Sequence, residues 1–462
     1  MKEYDVLIIG SGPAGQRGAV QAAQLGKRVA VFEKEPYIGG AGLQTGTIPS
    51  KTLRETALYL SGLRQRVVYG FQCVLGKNVQ FQELIHRKDT VIQGQMEVII
   101  DQFTRNDVEI IYGDACFEDA HTLVVKDAQG GAQRYRGDVI LICVGSRPNR
   151  PAEVPFDMQS VYDSDTILKI DTIPDSLTIV GGGVIGCEYA SIFSCLGTRV
   201  TLIEKRDSIL NFADDEIVDS LSFWMRHSGV VLRLGEEMEK IEVERPGRVV
   251  TYLKSGKRVV SEKLLFTLGR NANTDGLNLE EVGVRLGKRG RIEVDSDYKT
   301  TAANIFAAGD VIGGPSLAST SLEQGRLAMC AALMEQCPIA GIPNLLPYGI
   351  YTIPEISMIG ETEESLTEQG VPYEIGQTNF KEVARGQIIG DSYGMLKLLF
   401  HRETRKLLGV HIIGERATEI IHIGQAVMHF QGTIDYFVDT VFNYPTLSDA
   451  YKVAAFNGIN RL

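Results

Sequence analysis

Two short apolar runs, VLII at 6–9 and LTIV at 177–180, each end in a glycine-rich turn. A helix-length amphipathic stretch follows each turn, and a second apolar run then follows in both places, VAVFE at 29–33 and VTLIE at 200–204. The order of strand, turn, helix and strand predicts an α/β fold with one Rossmann-like domain at each place.

The two segments form an internal repeat. Residues 10–34 read GSGPAGQRGAVQAAQLGKRVAVFEK, and residues 181–205 read GGGVIGCEYASIFSCLGTRVTLIEK. Both contain GxGxxG, and an acid, Glu33 or Glu204, lies 23 residues after the first glycine of each. The repeat therefore predicts two sites of the same kind.

Dinucleotide binding needs this arrangement of residues. The first glycine allows a tight turn, the second lets the backbone approach a pyrophosphate, and the third lets the helix pack closely on the strand. The helix N-terminus offers free N–H groups to the phosphates, and the acid accepts hydrogen bonds from a ribose. The first motif nominates Gly10, Gly12, Pro13, Ala14, Gly15, Glu33 and Lys34. The second nominates Gly181, Gly183, Ile185, Gly186, Glu204, Lys205 and Arg206.

Three further apolar runs also end in glycine turns: LICVGSRP at 141–148, LLFTLGRNANT at 264–274 and TTAANIFAAGDVIGG at 300–314. They are typical of strands that end at a nucleotide, and we expect a helix to start near Gly309 and Asp310. An acid at such a helix start can bind a polyol or simply cap the helix. The added candidates are Gly145, Ser146, Gly269, Arg270, Gly309 and Asp310.

Composition limits the possible classes of function. The chain has 462 residues, enough for about three domains, and 44% of them are hydrophobic. The net charge of −11 argues against nucleic acid or an anionic membrane as a partner. A helix needs about 20 apolar residues to span a bilayer, and no apolar run in the sequence approaches that length. The seven cysteines form no CxxC pair, which favours reduced thiols in the cytoplasm and no metal site.

The motifs together resemble the flavoprotein disulfide reductase family, and the resemblance covers nearly the whole chain. It implies FAD on the first repeat, NAD(H) or NADP(H) on the second, and a C-terminal dimerisation domain that makes a homodimer or larger homo-oligomer. The implied layout is an FAD-binding domain at 1–150, an NAD(P)-binding domain at 151–269, a returning FAD segment at 270–345 and an α+β dimerisation domain at 346–462. The resemblance also implies flavin-site positions at Gly40, Ala41, Gly42, Thr47, Lys51 and Ala115.

The chain departs from that family where the family carries its thiols. In GGAGLQTGTIPSK, residues 39–51, the positions of the two redox cysteines hold Gly42 and Thr47. Tyr444 stands where the family has its acid–base histidine, and Asp449 stands where the family has a glutamate. Neither Gly42 nor Thr47 can form a thiolate, so we expect no reduction of dithiol substrates. Tyr444 either contacts substrate or only fills the histidine's space.

Lys51 and Glu188 are the catalytic candidates that remain. The family pattern pairs them beside the flavin, where a positive charge stabilises the reduced, anionic ring. The alternative for Lys51 is an ordinary solvated surface charge.

The expected activity is hydride transfer between NADPH and NAD⁺ through the flavin, as in the transhydrogenase branch of the family. A quinone or dye reductase and a non-catalytic nucleotide-sensing flavoprotein are the alternatives. Glu204 favours a free ribose 2′-hydroxyl, whereas Lys205 or Arg206 could bind a 2′-phosphate. The nucleotide preference and the direction of transfer stay open.

Overall fold

The computed structural model describes residues 1–61, 81–334 and 345–462. The chain divides into two compact units. The first unit comprises Met1–Thr52, Ile85–Asn149 and Gly269–Pro343, and the second comprises Leu53–Leu84, Arg150–Leu268 and Asn344–Leu462. Two of the cysteines, Cys73 and Cys337, lie outside the described residues. The predicted domain boundaries stay a prediction.

The α-helices of the described residues are numbered in chain order. They are α1 Pro13–Gln24, α2 Gly40–Gln44, α3 Thr47–Ser61, α4 Phe81–Arg105, α5 Val184–Cys195, α6 Asp215–His227, α7 Ala318–Leu333, α8 Glu363–Gln369, α9 Ala384–Ile389, α10 Ala417–His429, α11 Asp435–Asp439 and α12 Asp449–Ile459. Short 3₁₀ turns occur at Ile167–Lys169, Glu280–Val282, Lys288–Gly290 and Phe380–Glu382.

The strands are numbered in the same way. They are β1 Lys2–Ile9, β2 Val29–Glu33, β3 Glu109–Tyr112, β4 Asp114–Asp119, β5 Thr122–Lys126, β6 Ala132–Ile142, β7 Ser146–Pro148, β8 Val161–Tyr162, β9 Ser176–Val180, β10 Arg199–Glu204, β11 Val231–Leu234, β12 Met238–Arg245, β13 Arg248–Leu253, β14 Arg258–Ser261, β15 Lys263–Phe266, β16 Arg270–Ala272, β17 Ile305–Ala307, β18 Tyr348–Ile350, β19 Ile356–Gly360, β20 Tyr373–Asn379, β21 Met395–His401 and β22 Leu407–Ile413.

The first unit is built on one seven-stranded sheet in the order β3-β2-β1-β6-β5-β4, with β17 also pairing with β6. Strands β3, β2, β1, β6 and β17 are parallel to one another, and β5 and β4 continue the sheet from β6 in antiparallel pairing. Both faces of β1 are buried, since Val6 and Ile8 join one apolar cluster while Leu7 and Ile9 join another. Burial on both faces explains why this strand is continuously apolar in the sequence.

The second unit contains a parallel sheet in the order β11-β10-β9-β15-β8. It also contains the antiparallel sheet β12-β13-β14 and a five-stranded antiparallel sheet in the order β18-β19-β22-β21-β20. Phe380, Phe400, Phe437 and Tyr451 belong to the core between the last sheet and helices α10–α12. The predicted fold class, two Rossmann-like sheets and a C-terminal α+β domain, is confirmed.

Among the described residues, none of the helices combines the length and the apolar character that crossing a bilayer requires.

Candidate dinucleotide sites

The first glycine motif joins β1 to α1 in the first unit. Gly10 has φ +103°, and a Cβ atom there would lie 2.5 Å from the carbonyl oxygen of Cys143. A Cβ on Gly15 would lie only 2.0 Å from the carbonyl oxygen of Gly10, so the close approach of helix to strand excludes any side chain. A Cβ on Gly12 would meet nothing nearer than the Cα of Gly40 at 3.8 Å. The fold therefore requires Gly10 and Gly15, while Gly12 leaves room for a phosphate.

Glu33 ends β2 directly beside this turn and is 7% exposed. Its carboxylate accepts hydrogen bonds from the backbone N–H of Ser11 at 3.1 Å and from its hydroxyl at 2.6 Å. The N–H of Glu35 donates to the other oxygen at 3.0 Å, and the Ser11 hydroxyl accepts from the N–H of Gly39 at 3.0 Å. Ser11 thus connects the acid, the glycine turn and the start of the 39–51 segment. It was not predicted as a site residue, although its place inside GSGPAG offered a signal.

Three other predicted residues of the first unit lie together. The Ser146 hydroxyl donates to Asp310 at 2.8 Å, and Arg270 Nε donates to the same hydroxyl at 2.8 Å. Arg270 also donates to the Ser146 carbonyl oxygen at 2.7 Å. Asp310 is half-buried, so one carboxylate and one guanidinium converge at the ends of β6 and β17. The arrangement suits a ligand that has both hydroxyl and phosphate groups.

The predicted helix start at Gly309 and Asp310 is wrong. The chain turns there, and α7 begins only at Ala318. Gly309 and Gly313 both adopt positive φ, and Pro315 follows without a backbone N–H, so this segment cannot continue as a helix. Asp310 therefore does not cap a helix, and its contact is with Ser146.

The second motif repeats this geometry in the second unit, between β9 and α5. A Cβ on Gly186 would lie 1.9 Å from the carbonyl oxygen of Gly181, whereas a Cβ on Gly183 would meet no atom within 4 Å. A Cβ on Gly181 would lie 2.6 Å from the hydroxyl of Thr267. As in the first motif, the outer glycines are needed by the fold and the middle one faces open space.

Glu204 ends β10 and is 4% exposed, but its carboxylate already has partners. It accepts from the N–H of Gly182 at 2.7 Å, from the N–H of Arg206 at 3.0 Å, and from Arg206 Nε and Nη2 at 2.8 and 3.0 Å. Burial would raise the pKa of Glu204, yet the Arg206 guanidinium and the two N–H groups outweigh it and hold the pKa below its ordinary value. Arg206 also contacts the side chain of Asn211, a residue that sequence reasoning missed. Lys205 is exposed.

The remaining predicted positions lie in several places. Lys51 and Thr47 are on α3, and Gly42 is on α2, next to Pro13. Ala115 is on β4 with its side chain in the apolar core, which leaves only its backbone for a cofactor. Tyr444 is 74% exposed.

Glu188 lies on α5 of the second unit and accepts a hydrogen bond from the N–H of Tyr351 at 2.9 Å. Lys51 belongs to the first unit. Their pairing stays a prediction.

Comparison with known proteins defines the class. A family model described as pyridine nucleotide-disulphide oxidoreductase matches residues 4–325, and the model of its dimerisation domain matches residues 346–455. The chain belongs to this family. It is an oxidoreductase that acts on nicotinamide nucleotides with FAD as cofactor, and its dimerisation domain indicates a homo-oligomer.

Curated relatives match the chain from end to end. A protein of Mycobacterium bovis named soluble pyridine nucleotide transhydrogenase is 49% identical over 100% of this chain and 98% of its own length. Proteins of the same name from Enterobacter sp. and Pseudomonas aeruginosa are 47% and 46% identical. These two alignments cover 100% and 99% of this chain, and 99% of each relative.

Solved structures have the same fold. LpdA from Mycobacterium tuberculosis superposes with a TM-score of 0.91 at 27% identity, covering 99% of both chains. The HOCl-induced flavoprotein disulfide reductase RclA from Escherichia coli superposes with a TM-score of 0.87 at 29% identity, covering 97% of this chain and 98% of its own.

The residues of each motif fit a dinucleotide. In both units an open middle glycine, a helix N-terminus and a buried acid adjoin one another, which is the donor and acceptor set that a pyrophosphate and a ribose require.

The two glycines of the second motif give a matched pair of substitutions. Gly183→Ala should weaken NAD⁺ binding about tenfold or more with unchanged thermal stability, because the new methyl group enters space that a phosphate would fill. Gly186→Ala should lower the melting temperature, because its methyl group collides with the Gly181 carbonyl. Calorimetric titration and thermal unfolding of both variants test this, and equal losses of stability would contradict it.

Proposed function

We propose that the protein catalyses FAD-dependent hydride transfer between NADPH and NAD⁺ in a ping-pong cycle, with the two nicotinamide nucleotides binding the second glycine motif in turn. The observation that carries the proposal is the α2–α3 segment beside the first motif. Gly40 of this segment packs closely against Gly12 of the first motif. The segment carries Gly42 and Thr47 where a redox thiol pair would be needed. An FAD site and a nicotinamide site then remain without a dithiol.

Two buried thiols of the described residues do not replace the missing pair. Burial raises the pKa of Cys143 and of Cys187 far above the ordinary thiol value, so both stay protonated. A protonated thiol neither attacks a disulfide nor accepts hydride. Hydride exchange between a nicotinamide and a flavin requires only alignment and exclusion of water.

In this reaction the chain's own residues would bind the FAD and the nicotinamide nucleotides and orient them. The first motif, Glu33 and the Ser146–Asp310–Arg270 group would hold the FAD, which when bound accepts a hydride from one nicotinamide and returns it to another. We assign Lys51 the role of a fixed positive charge beside the flavin, with Glu188 as its partner.

Glu204 and Arg206 suit an enzyme that takes both nucleotides. Arg206 lies across both oxygens of Glu204, and its side chain is 41% exposed. With NAD(H), the ribose hydroxyls would donate to Glu204. With NADP(H), Arg206 would turn from the carboxylate to the 2′-phosphate, for which a guanidinium is a strong partner.

The names of the curated relatives support the proposal, since proteins 46–49% identical over their full length are called soluble pyridine nucleotide transhydrogenases. We also propose a cytoplasmic homodimer. Reduced cysteines favour that compartment, and the exposed Phe430 and Val441 of the dimerisation domain favour burial against a second copy.

Substitution of Arg206 tests the nucleotide assignment. Arg206→Gln should lower kcat/KM for NADPH about tenfold or more while changing that for NADH little, because a phosphate partner is lost and the Glu204 charge is exposed. Glu204→Ala should shift the ratio toward NADPH. Anaerobic flavin reduction by each nucleotide gives the ratios, and Lys205→Gln is the matched control. An unchanged ratio in Arg206→Gln would contradict the assignment.

The activity itself is tested by mixing the FAD-loaded protein with NADPH and thio-NAD⁺ without oxygen. We expect continuous formation of thio-NADH, and we expect no reduction of lipoamide or glutathione disulfide by the same preparation. Reduction of the flavin by NADPH without transfer to thio-NAD⁺ would overturn the proposal and indicate a different acceptor.

A further inference from the structure

A lysine is buried in the sheet of the dimerisation domain. Lys397 lies on β21, is 1% exposed, and sits across from His411 on β22. Its ammonium contacts both oxygens of Asp214 at 2.9 and 3.0 Å, Glu216 at 3.1 Å, and Glu363. One cation thus fills the centre of three carboxylates, and in the described part of the chain no second cation pairs with them.

Lys397 carries its positive charge despite its burial. Burial alone would lower the pKa of Lys397, but hydrogen bonds to Glu363 and Asp214 outweigh it and raise the pKa above its ordinary value. Burial lowers the pKa of His411, so the neighbouring ring stays neutral near pH 7.

Asp214 is 0% exposed and stands at the N-cap of α6. An aspartate at this position ordinarily accepts a hydrogen bond from the first turn of its helix. Asp214 makes no such bond, and both of its oxygens go to Lys397 instead. A buried ion pair adds little net stability compared with apolar residues, because both charges lose their water. A role in fixing the position of a segment accounts for the pair better than a role in stability.

That segment is residues 205–213, which we call the nucleotide loop. It begins directly after Glu204 and ends directly before Asp214. The N–H of Leu210 donates to the carbonyl oxygen of Gly182 at 2.9 Å, and Asn211 contacts Arg206. Leu210 therefore joins the loop to the second glycine motif, and Asp214, which follows the loop directly, is held by Lys397.

We propose that Lys397 is a positioning residue for nicotinamide nucleotide binding: by holding Asp214 it keeps the nucleotide loop against the second glycine motif and ties that motif to the dimerisation domain. The inference rests on the proposed function in one respect, that the second motif is the nicotinamide site. It does not depend on hydride reaching a second nucleotide.

The direct test is the double variant Lys397→Met with Asp214→Asn, which removes both charges and keeps similar volumes. Calorimetric titration of the FAD-loaded enzyme with NAD⁺ and with NADP⁺ should show both dissociation constants raised about tenfold, an ordinary size for coupling between sites. FAD content should be unchanged, and flavin reduction at saturating NADH should stay within about twofold, as for a loss confined to binding.

Hydrogen exchange separates positioning from a general loss of structure. In the double variant without nucleotide, amides of the nucleotide loop should exchange faster, while amides of β9 keep their protection. The control is Arg405→Met with Asp435→Asn, which removes another pair of the same domain, 2.7 Å apart and without a link to the loop. It should change neither dissociation constant.

Unchanged dissociation constants and unchanged loop exchange in a folded double variant would overturn the inference. If the double variant does not fold, Asp214→Asn alone leaves Lys397 with Glu216 and Glu363, and normal nucleotide binding in that variant would overturn it equally. Wild-type enzyme that binds both nucleotides but does not exchange hydride between them would overturn the proposed function and leave the comparison of dissociation constants valid.

Discussion

Both dinucleotide sites depend on a helix that approaches the preceding strand so closely that no side chain fits between them. At Gly15 and at Gly186, an added Cβ would lie 2.0 and 1.9 Å from the carbonyl oxygen of the motif's first glycine. The tight turn before each helix places the N–H groups of Ser11 and Gly182 on the acid that ends the next strand. Two copies of one constraint thus build the two candidate dinucleotide sites of a single chain.

The proposed function depends on the residues of the 39–51 segment beside the first glycine motif. The chain belongs to the pyridine nucleotide-disulphide oxidoreductase family, and it has Gly42 and Thr47 where the sequence resemblance predicts a redox thiol pair. We propose that the chain lacks the chemistry that needs thiolates and keeps hydride transfer, which needs only aligned rings. In our proposal the acceptor is a second nicotinamide nucleotide at the second glycine motif, where Glu204 would bind a hydroxyl and Arg206 a phosphate.

The parts of the structure that local sequence determines could be predicted. Apolar runs, glycine turns and the acids at fixed spacing gave the two parallel sheets and placed Glu33 and Glu204 correctly beside their turns. The start of α7 was wrongly placed at Gly309, because an acid after a glycine also occurs in a turn that glycines and a proline keep from becoming helical.

Contacts that depend on tertiary folding were not predictable. Lys397 and Asp214 are far apart in the sequence, and an aspartate before a helix indicates a cap rather than a buried ion pair. The contacts of Arg206 with Glu204 and Asn211 also depend on rotamers that a sequence pattern does not specify.

We propose that the protein holds its electrons on the flavin alone. An anaerobic titration of the FAD-loaded enzyme with dithionite, followed by the flavin absorbance, tests this most directly. We expect complete bleaching after two electrons per FAD, because Gly42 and Thr47 cannot form a disulfide beside the flavin. A requirement for four electrons per FAD would show a reducible disulfide in addition to the flavin. It would contradict the proposal that the flavin alone holds the electrons.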